Sequence, residues 1–246
     1  MVLFGKYSWI CTRLIYRFLL PGLVLLFGCS APRFVASRPQ WSRTVASSDL
    51  PPALSEPELL AALARADQAW IPEAIPLPGG GTRYIYRRRQ GEAPLSLEAL
   101  RALIRNPPRF EREQLLIRAL LSQLQSAGVR VVLAHPRRQG AAGEWEPRRS
   151  LLRLRPDLTA KGSREFLRVL NHEAIHVAQS CLPGRRWRRR SELLGLSRSV
   201  SPRARQQLQA PLYARVSAHE RQLEEEAYAN QDQLALGSQL LADHCR

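Results

Sequence analysis

The chain shows no internal repeat, no apolar run of bilayer-spanning length and only four cysteines among its 246 residues. The missing repeat excludes solenoids and propellers, whose sequences carry a fixed period. A transmembrane helix needs about 20 apolar residues. The best candidate, "FLLPGLVLLFG", is shorter and is broken by Pro21, which argues against a permanent span. Acidic side chains are also in deficit: 21 Asp and Glu stand against 37 Lys and Arg, a formal net charge of +16. A field of that sign favours anionic partners, whether lipid headgroups, nucleic acid or acidic polymers. A hydrophobic fraction of 45% and a charged fraction of 24% are ordinary for a folded chain and exclude a wholly disordered or fibrous one. At this length one domain with a sizeable core is the simplest organisation.

The N-terminus chooses among the anionic partners. Lys6, Arg13 and Arg17 precede the apolar run and Cys29 follows it, which is the architecture of an export signal over residues 1–28. Leu26-Phe27-Gly28-Cys29 resembles the lipobox of bacterial lipoproteins, which implies a membrane tether through Cys29 on the periplasmic or cell-envelope face. A plain cleaved signal and an uncleaved anchor are the alternatives. An exported chain meets an anionic membrane surface, so no nucleic-acid partner is expected. The basic runs Arg87-Arg88-Arg89 and Arg185-Arg186-Trp187-Arg188-Arg189-Arg190 then read as loops on lipid, where each charge is worth about 1 kcal/mol. Residues 29–54, rich in Pro and Ser, read as a tether. Cys181 and Cys245 are the two cysteines left beyond Cys29; in an oxidising compartment they pair more often than they stay as thiols.

The rest, 55–246, is expected to be a single helix-rich α+β domain. Ser55-Glu56-Pro57-Glu58 has the form of a capping box ahead of a helical stripe of Leu59, Leu60, Leu63 and Ala66, which the proline cluster "IPEAIPLPGGG" ends. "TRYIYRRRQ" alternates as a strand. "SLEALRALIRN" and "FEREQLLIRALLSQLQSAG" have helical spacing, with Pro107-Pro108 between them and a stop at Gly128. "VRVVLA" and "RRSLLRLRP" read as strands separated by a Gly-rich connection. Residues 161–181 form a predicted helix with Leu167, Leu170, Ala174, Val177, Ala178 and Cys181 on one face, and two further helices are expected at roughly 203–213 and 216–240.

The predicted helix over 161–181 carries the chemistry. In "NHEAIHVAQSC", His172 and His176 lie four positions apart, so on a helix their imidazoles project side by side and can share one cation. Glu173 sits next to them, near enough to act on a water at that cation without binding it. This is the H-E-x-x-H arrangement of zinc peptidases. A catalytic zinc needs a third protein ligand, and the downstream "LEEEAYAN" offers one.

Together, His172-Glu173-x-x-His176 and Glu224-x-Glu226-Ala227 resemble the gluzincin group of zinc metallopeptidases, over about the last hundred residues. "HVAQ" resembles small exported bacterial zincin-like proteins. The resemblance implies Zn2+ as cofactor, His172, His176 and Glu224 as ligands, Glu173 as general base, and a peptide or protein as substrate. Glu226 is the rival third ligand, because Glu226-Ala227-Tyr228-Ala229-Asn230 also fits the downstream motif. The resemblance further implies an edge strand beside the metal that pairs with an extended substrate, assigned here to the segment "GEWEPRRSLLRLRP". An oxyanion helper is required as well, for which His219, Tyr213, Tyr228 and the basic loop are candidates. A different class of function, a zinc-holding envelope protein that binds a partner without hydrolysis, uses the same ligands. His135 and His219 rank below them as metal residues.

Overall fold

A computed structural model describes residues 51–88, 92–181 and 190–245. The expected signal, Cys29, most of the tether, Arg89 and the basic run Arg185–Arg189 lie outside the described residues. No helix among the described residues is long and apolar enough to cross a membrane.

The fold is α+β and helix-rich. In chain order it comprises α1 (Glu56–Gln68), β1 (Glu73–Pro76), β2 (Thr82–Ile85), α2 (Leu97–Arg105), α3 (Glu111–Ser126), β3 (Arg130–Leu133), β4 (Gly143–Glu146) and β5 (Leu151–Leu154). The C-terminal half continues with α4 (Ser163–Ser180), α5 (Pro202–Leu208), α6 (Ala218–Asn230) and α7 (Leu236–His244). β1 and β2 form an antiparallel hairpin, and the other three strands form a sheet in the order β3-β5-β4, with β3 parallel and β4 antiparallel to β5.

α4 is the centre of the domain because both its flanks are apolar. Leu167, Leu170, Ala174, Val177 and Cys181 pack into the main core with Leu120 and Leu124 of α3 and Leu152 and Leu154 of β5. Ile175 and Ala178 enter a second, smaller cluster with Ala227 of α6 and Leu240 of α7. Ala178 therefore leaves the single face expected for it. A helix clamped from both sides can hold polar side chains along its remaining strip with little freedom, and that strip carries the histidines.

The helix is also pinned at both ends. At its start, Asp67 of α1 accepts from the Ser163 amide at 2.7 Å and the Ser163 hydroxyl at 2.6 Å, placing a carboxylate at the positive end of the helix. Gly162 leads into it with φ +83, and a Cβ there would stand 2.6 Å from Asp67 Oδ1. At its other end Cys181 is bonded to Cys245, with Cα atoms 5.2 Å apart across a sequence separation of 64. Closing a loop of that size is worth up to about 4 kcal/mol through the unfolded chain. Reduction, or Cys245→Ser, should therefore lower stability by about 2–4 kcal/mol, read as a fall in the denaturant midpoint. An unchanged midpoint would show that the bond adds nothing.

Several expectations need correction. Ser55 stands at the start of α1 without a side-chain cap; the capping box forms instead at Ser217 and Glu220 of α6. The proline cluster hides strand β1, tolerable because the hairpin has two strands only and Pro76 closes β1. "GEWEPRRSLLRLRP" contains two strands, with β5 central and buried throughout and β4 at the edge. Residues 51–54, placed in the tether, are held to β3, where the Leu54 amide donates to Val131 O and Arg130 donates to Pro51 O.

The helix expected at 216–240 is two helices. Asn171 of α4 causes the break: its amide donates to the carbonyls of Gln231 and Gln233, and its Oδ1 accepts from the Gly237 amide. One buried side chain thus takes over backbone groups that a continuous helix would have paired internally. α7 then lies so close to α4 that a Cβ at Gly237 would meet Asn171 Oδ1 at 2.6 Å. The helix expected over 203–213 likewise shortens to α5 followed by a 3-10 turn at Pro211–Tyr213.

Candidate metal centre

α4 presents His172 and His176 toward α6, and α6 returns Glu224. The two histidine Nε2 atoms lie 3.1 Å apart, and each is 3.5 Å from Glu224 Oε2. These three are the one group of at least three potential ligands among the described residues whose donor atoms converge, all within 4.8 Å of one another. A tetrahedral zinc with bonds of about 2.0–2.1 Å needs donors about 3.3–3.4 Å apart. Spacings of 3.1, 3.5 and 3.5 Å straddle that value, so the donor set fits a small divalent cation such as zinc.

The second glutamate is used differently. Glu226, 1% exposed, accepts from Gln179 Nε2 at 2.8 Å and from the amides of Leu194 and Leu196 at 3.0 and 2.8 Å. Gln179 in turn accepts from His176 Nδ1 at 2.7 Å, which fixes the ring with Nε2 toward the site. Glu226 therefore supports the site through Gln179 and anchors the 194–196 segment. Its spacing from Glu224 puts the two carboxylates on different sides of α6. Sequence reasoning missed the part played by Gln179; its signal was the position three residues after His176. His172 lacks such a partner, as its Nδ1 is buried without a hydrogen bond.

Electrostatics agree with a cation-holding group. Burial disfavours the imidazolium of His176, but Glu224, with help from Glu173 and Gln179, outweighs burial and raises the group to about 9. Burial would also raise Glu224, yet the two histidines hold it well below the usual carboxylate range. His172 is shifted down, chiefly by burial, with Glu224 opposing. The positive charge that Glu224 draws onto His176 stands where a metal ion would supply it.

Glu173, 5% exposed, lines the cleft with the three donors but is not one of the converging group. Its side chain lies against β4, where a Cβ on Gly143 would come within 2.6 Å of Glu173 Cγ and Oε1. The Trp145 amide bonds to it, but burial dominates and pushes the carboxyl up to about 7. β4 is itself fastened to α4 by Trp145 Nε1, which donates to Ser180 Oγ at 2.8 Å.

The candidate helpers separate cleanly. Tyr213 enters from the 3-10 turn and donates to Glu224 Oε2 at 3.3 Å, with the Tyr228 hydroxyl 3.0 Å away. Burial, reinforced by Glu224, shifts Tyr213 far upward, so it stays an O–H donor. Tyr228 packs its ring edge-on against His172, centroids 4.6 Å apart. His219 donates to Ser191 O and does not line the cleft. His135 is also outside the cleft lining. A cleft opens over the three donors and extends to both sides in two lobes of about 320 and 310 Å³, which share Gly143, His172, Glu173 and Tyr213.

Compared with protein-family models, curated proteins and solved structures, the chain matches none.

Proposed function

We propose that the chain is a zinc-dependent peptidase of zincin-like design. The observation that carries this is the convergence of His172, His176 and Glu224 with a separate buried carboxyl, Glu173, beside them under an open cleft. Zinc held by the three ligands would supply Lewis acidity, polarising a carbonyl and making water nucleophilic near neutral pH. Glu173 takes the proton from the attacking water and returns it to the departing amine, a role that its place in the cleft beside the donors allows. Tyr213, held protonated, donates to the oxygen that gains charge. β4 is an edge strand beside Glu173, the position from which a sheet can pair with an extended peptide.

Two measurements on the purified chain test the proposal: metal content after preparation in zinc, and cleavage of a peptide library. One zinc per chain is expected, with hydrolysis lost on chelation and restored by zinc. A chain that carries no metal would overturn the site, and one that carries zinc but cleaves nothing would be a zinc-holding binding protein. Export and a lipid tether at Cys29 are part of the same proposal, resting on the residues of the N-terminal segment alone.

Gly143 provides a further check. Gly143→Ala should leave zinc in place but displace Glu173, lowering kcat by about 10²-fold, the usual cost of a misplaced reacting group. An unchanged rate would mean that Glu173 has room to spare and is not held by β4.

A further inference from the structure

The two lobes of the cleft differ in charge. In one lobe each cation meets an acid: Arg137 reaches Glu144 and Glu146 at 3.0 Å, and Arg138 reaches Glu220 at 3.7 Å. The other lobe is lined by Arg155, Lys161, Arg168 and Arg203. Arg155 and Lys161 share the single carboxylate of Asp157, and Arg168 Nη2 donates to Glu165 at 2.7 Å. Arg203 makes no ion pair among the described residues. Four cations therefore face two acids there, besides Glu173.

Besides His172 Nδ1, two further buried polar atoms on residues lining this lobe are unsatisfied. Arg168 Nε has no acceptor and Gln207 Oε1 has no donor. A buried unpaired group costs free energy, so an orphan donor and an orphan acceptor in one cavity call for a ligand that supplies both senses. A carboxylate satisfies the arginine and a peptide N–H satisfies the glutamine. A bare inorganic anion satisfies only the first.

Position completes the case. Arg168 lies one turn before His172 on α4, about 6 Å along the helix axis, a distance that an extended peptide covers in about two residues. We propose that this lobe is a carboxylate-binding subsite, anchored on Arg168 and assisted by Arg203, that selects peptides with a carboxylate within about two residues of the bond to be cut. The inference rests on the peptidase reading above. The carboxylate comes from a free C-terminus or from an Asp or Glu side chain.

The test measures binding and cleavage separately. Full-length chain carrying Glu173→Gln and loaded with zinc would be titrated with matched peptides, free acid against C-terminal amide and Glu against Gln beside the scissile position. At least tenfold tighter binding of the carboxylate member is expected, the size of one charge-assisted hydrogen bond. A gap in the acid/amide pair assigns the C-terminus, and a gap in the Glu/Gln pair assigns the side chain. Added Arg168→Gln should shrink the gap to within about twofold, since the remaining cations are exposed or shared. Should that variant not fold, Arg203→Glu, on an exposed residue, should narrow the gap several-fold. Equal binding across all pairs, or a gap that survives both substitutions, overturns the subsite. If the chain with Glu173 intact cleaves both members of both pairs alike, hydrolysis stands and the subsite falls. If it binds carboxylates preferentially but cleaves none, the subsite stands and hydrolysis falls.

Discussion

Glu173→Gln should keep one zinc per chain and an unchanged melting temperature while lowering peptide hydrolysis by about 10²–10⁴-fold, the range for loss of a general acid–base group. Zinc should remain because Glu173 is absent from the converging donors, which are His172, His176 and Glu224. The fold should persist because glutamine has the same shape against Gly143 and can still accept the Trp145 amide. Burial already penalises the charged carboxyl, so a neutral amide there costs little. The loss should fall on kcat with KM little changed, since no binding contact is removed. Loss of zinc in this variant would make Glu173 a ligand. A rate within a few-fold of the parent would place the base elsewhere and remove the mechanism.

The site was more legible in the sequence than its surroundings, for a physical reason. The i, i+4 spacing of His172 and His176 is local geometry, fixed once the segment is a helix, and the apolar spacing of Leu167, Leu170, Ala174 and Val177 made it one. The choice between Glu224 and Glu226 is not local. It depends on how α6 is rotated against α4, which the contacts of Glu226 with Leu194, Leu196 and Gln179 decide. The division at 231–235 was equally hidden, as it answers to Asn171 some 60 residues earlier. Asp67, 96 residues before the helix start that it caps, left no trace near Ser163. Edge and centre of the small sheet were not told apart, because β4 and β5 lie on one short stretch that was given a single edge strand. Only the complete burial of Leu151–Leu154 distinguishes the central strand.

Substituting the ligands should produce the largest change in metal content, and the pattern across four variants decides the third ligand. His172→Ala and His176→Ala should each abolish stoichiometric zinc, since two remaining donors fall short of the three that a catalytic site needs. Glu224→Gln should weaken zinc strongly: the amide has no charge, and the carboxylate at 3.5 Å from both Nε2 atoms is the anionic member of the set. Glu226→Gln should act at one remove. Its new amide group would face the N–H donors of Leu194, Leu196 or Gln179, so the 194–196 segment should loosen and the melting temperature fall. Zinc affinity should drop only by the 10–100-fold typical of groups that orient a ligand, passed on through Gln179 to His176. Competition with a chelator of known affinity would rank the variants. A weaker effect at Glu224 than at Glu226 would reverse the assignment while leaving the histidines in place. Full zinc in both histidine variants would mean that the cation is held elsewhere, and the centre built from α4 and α6 would have to be abandoned.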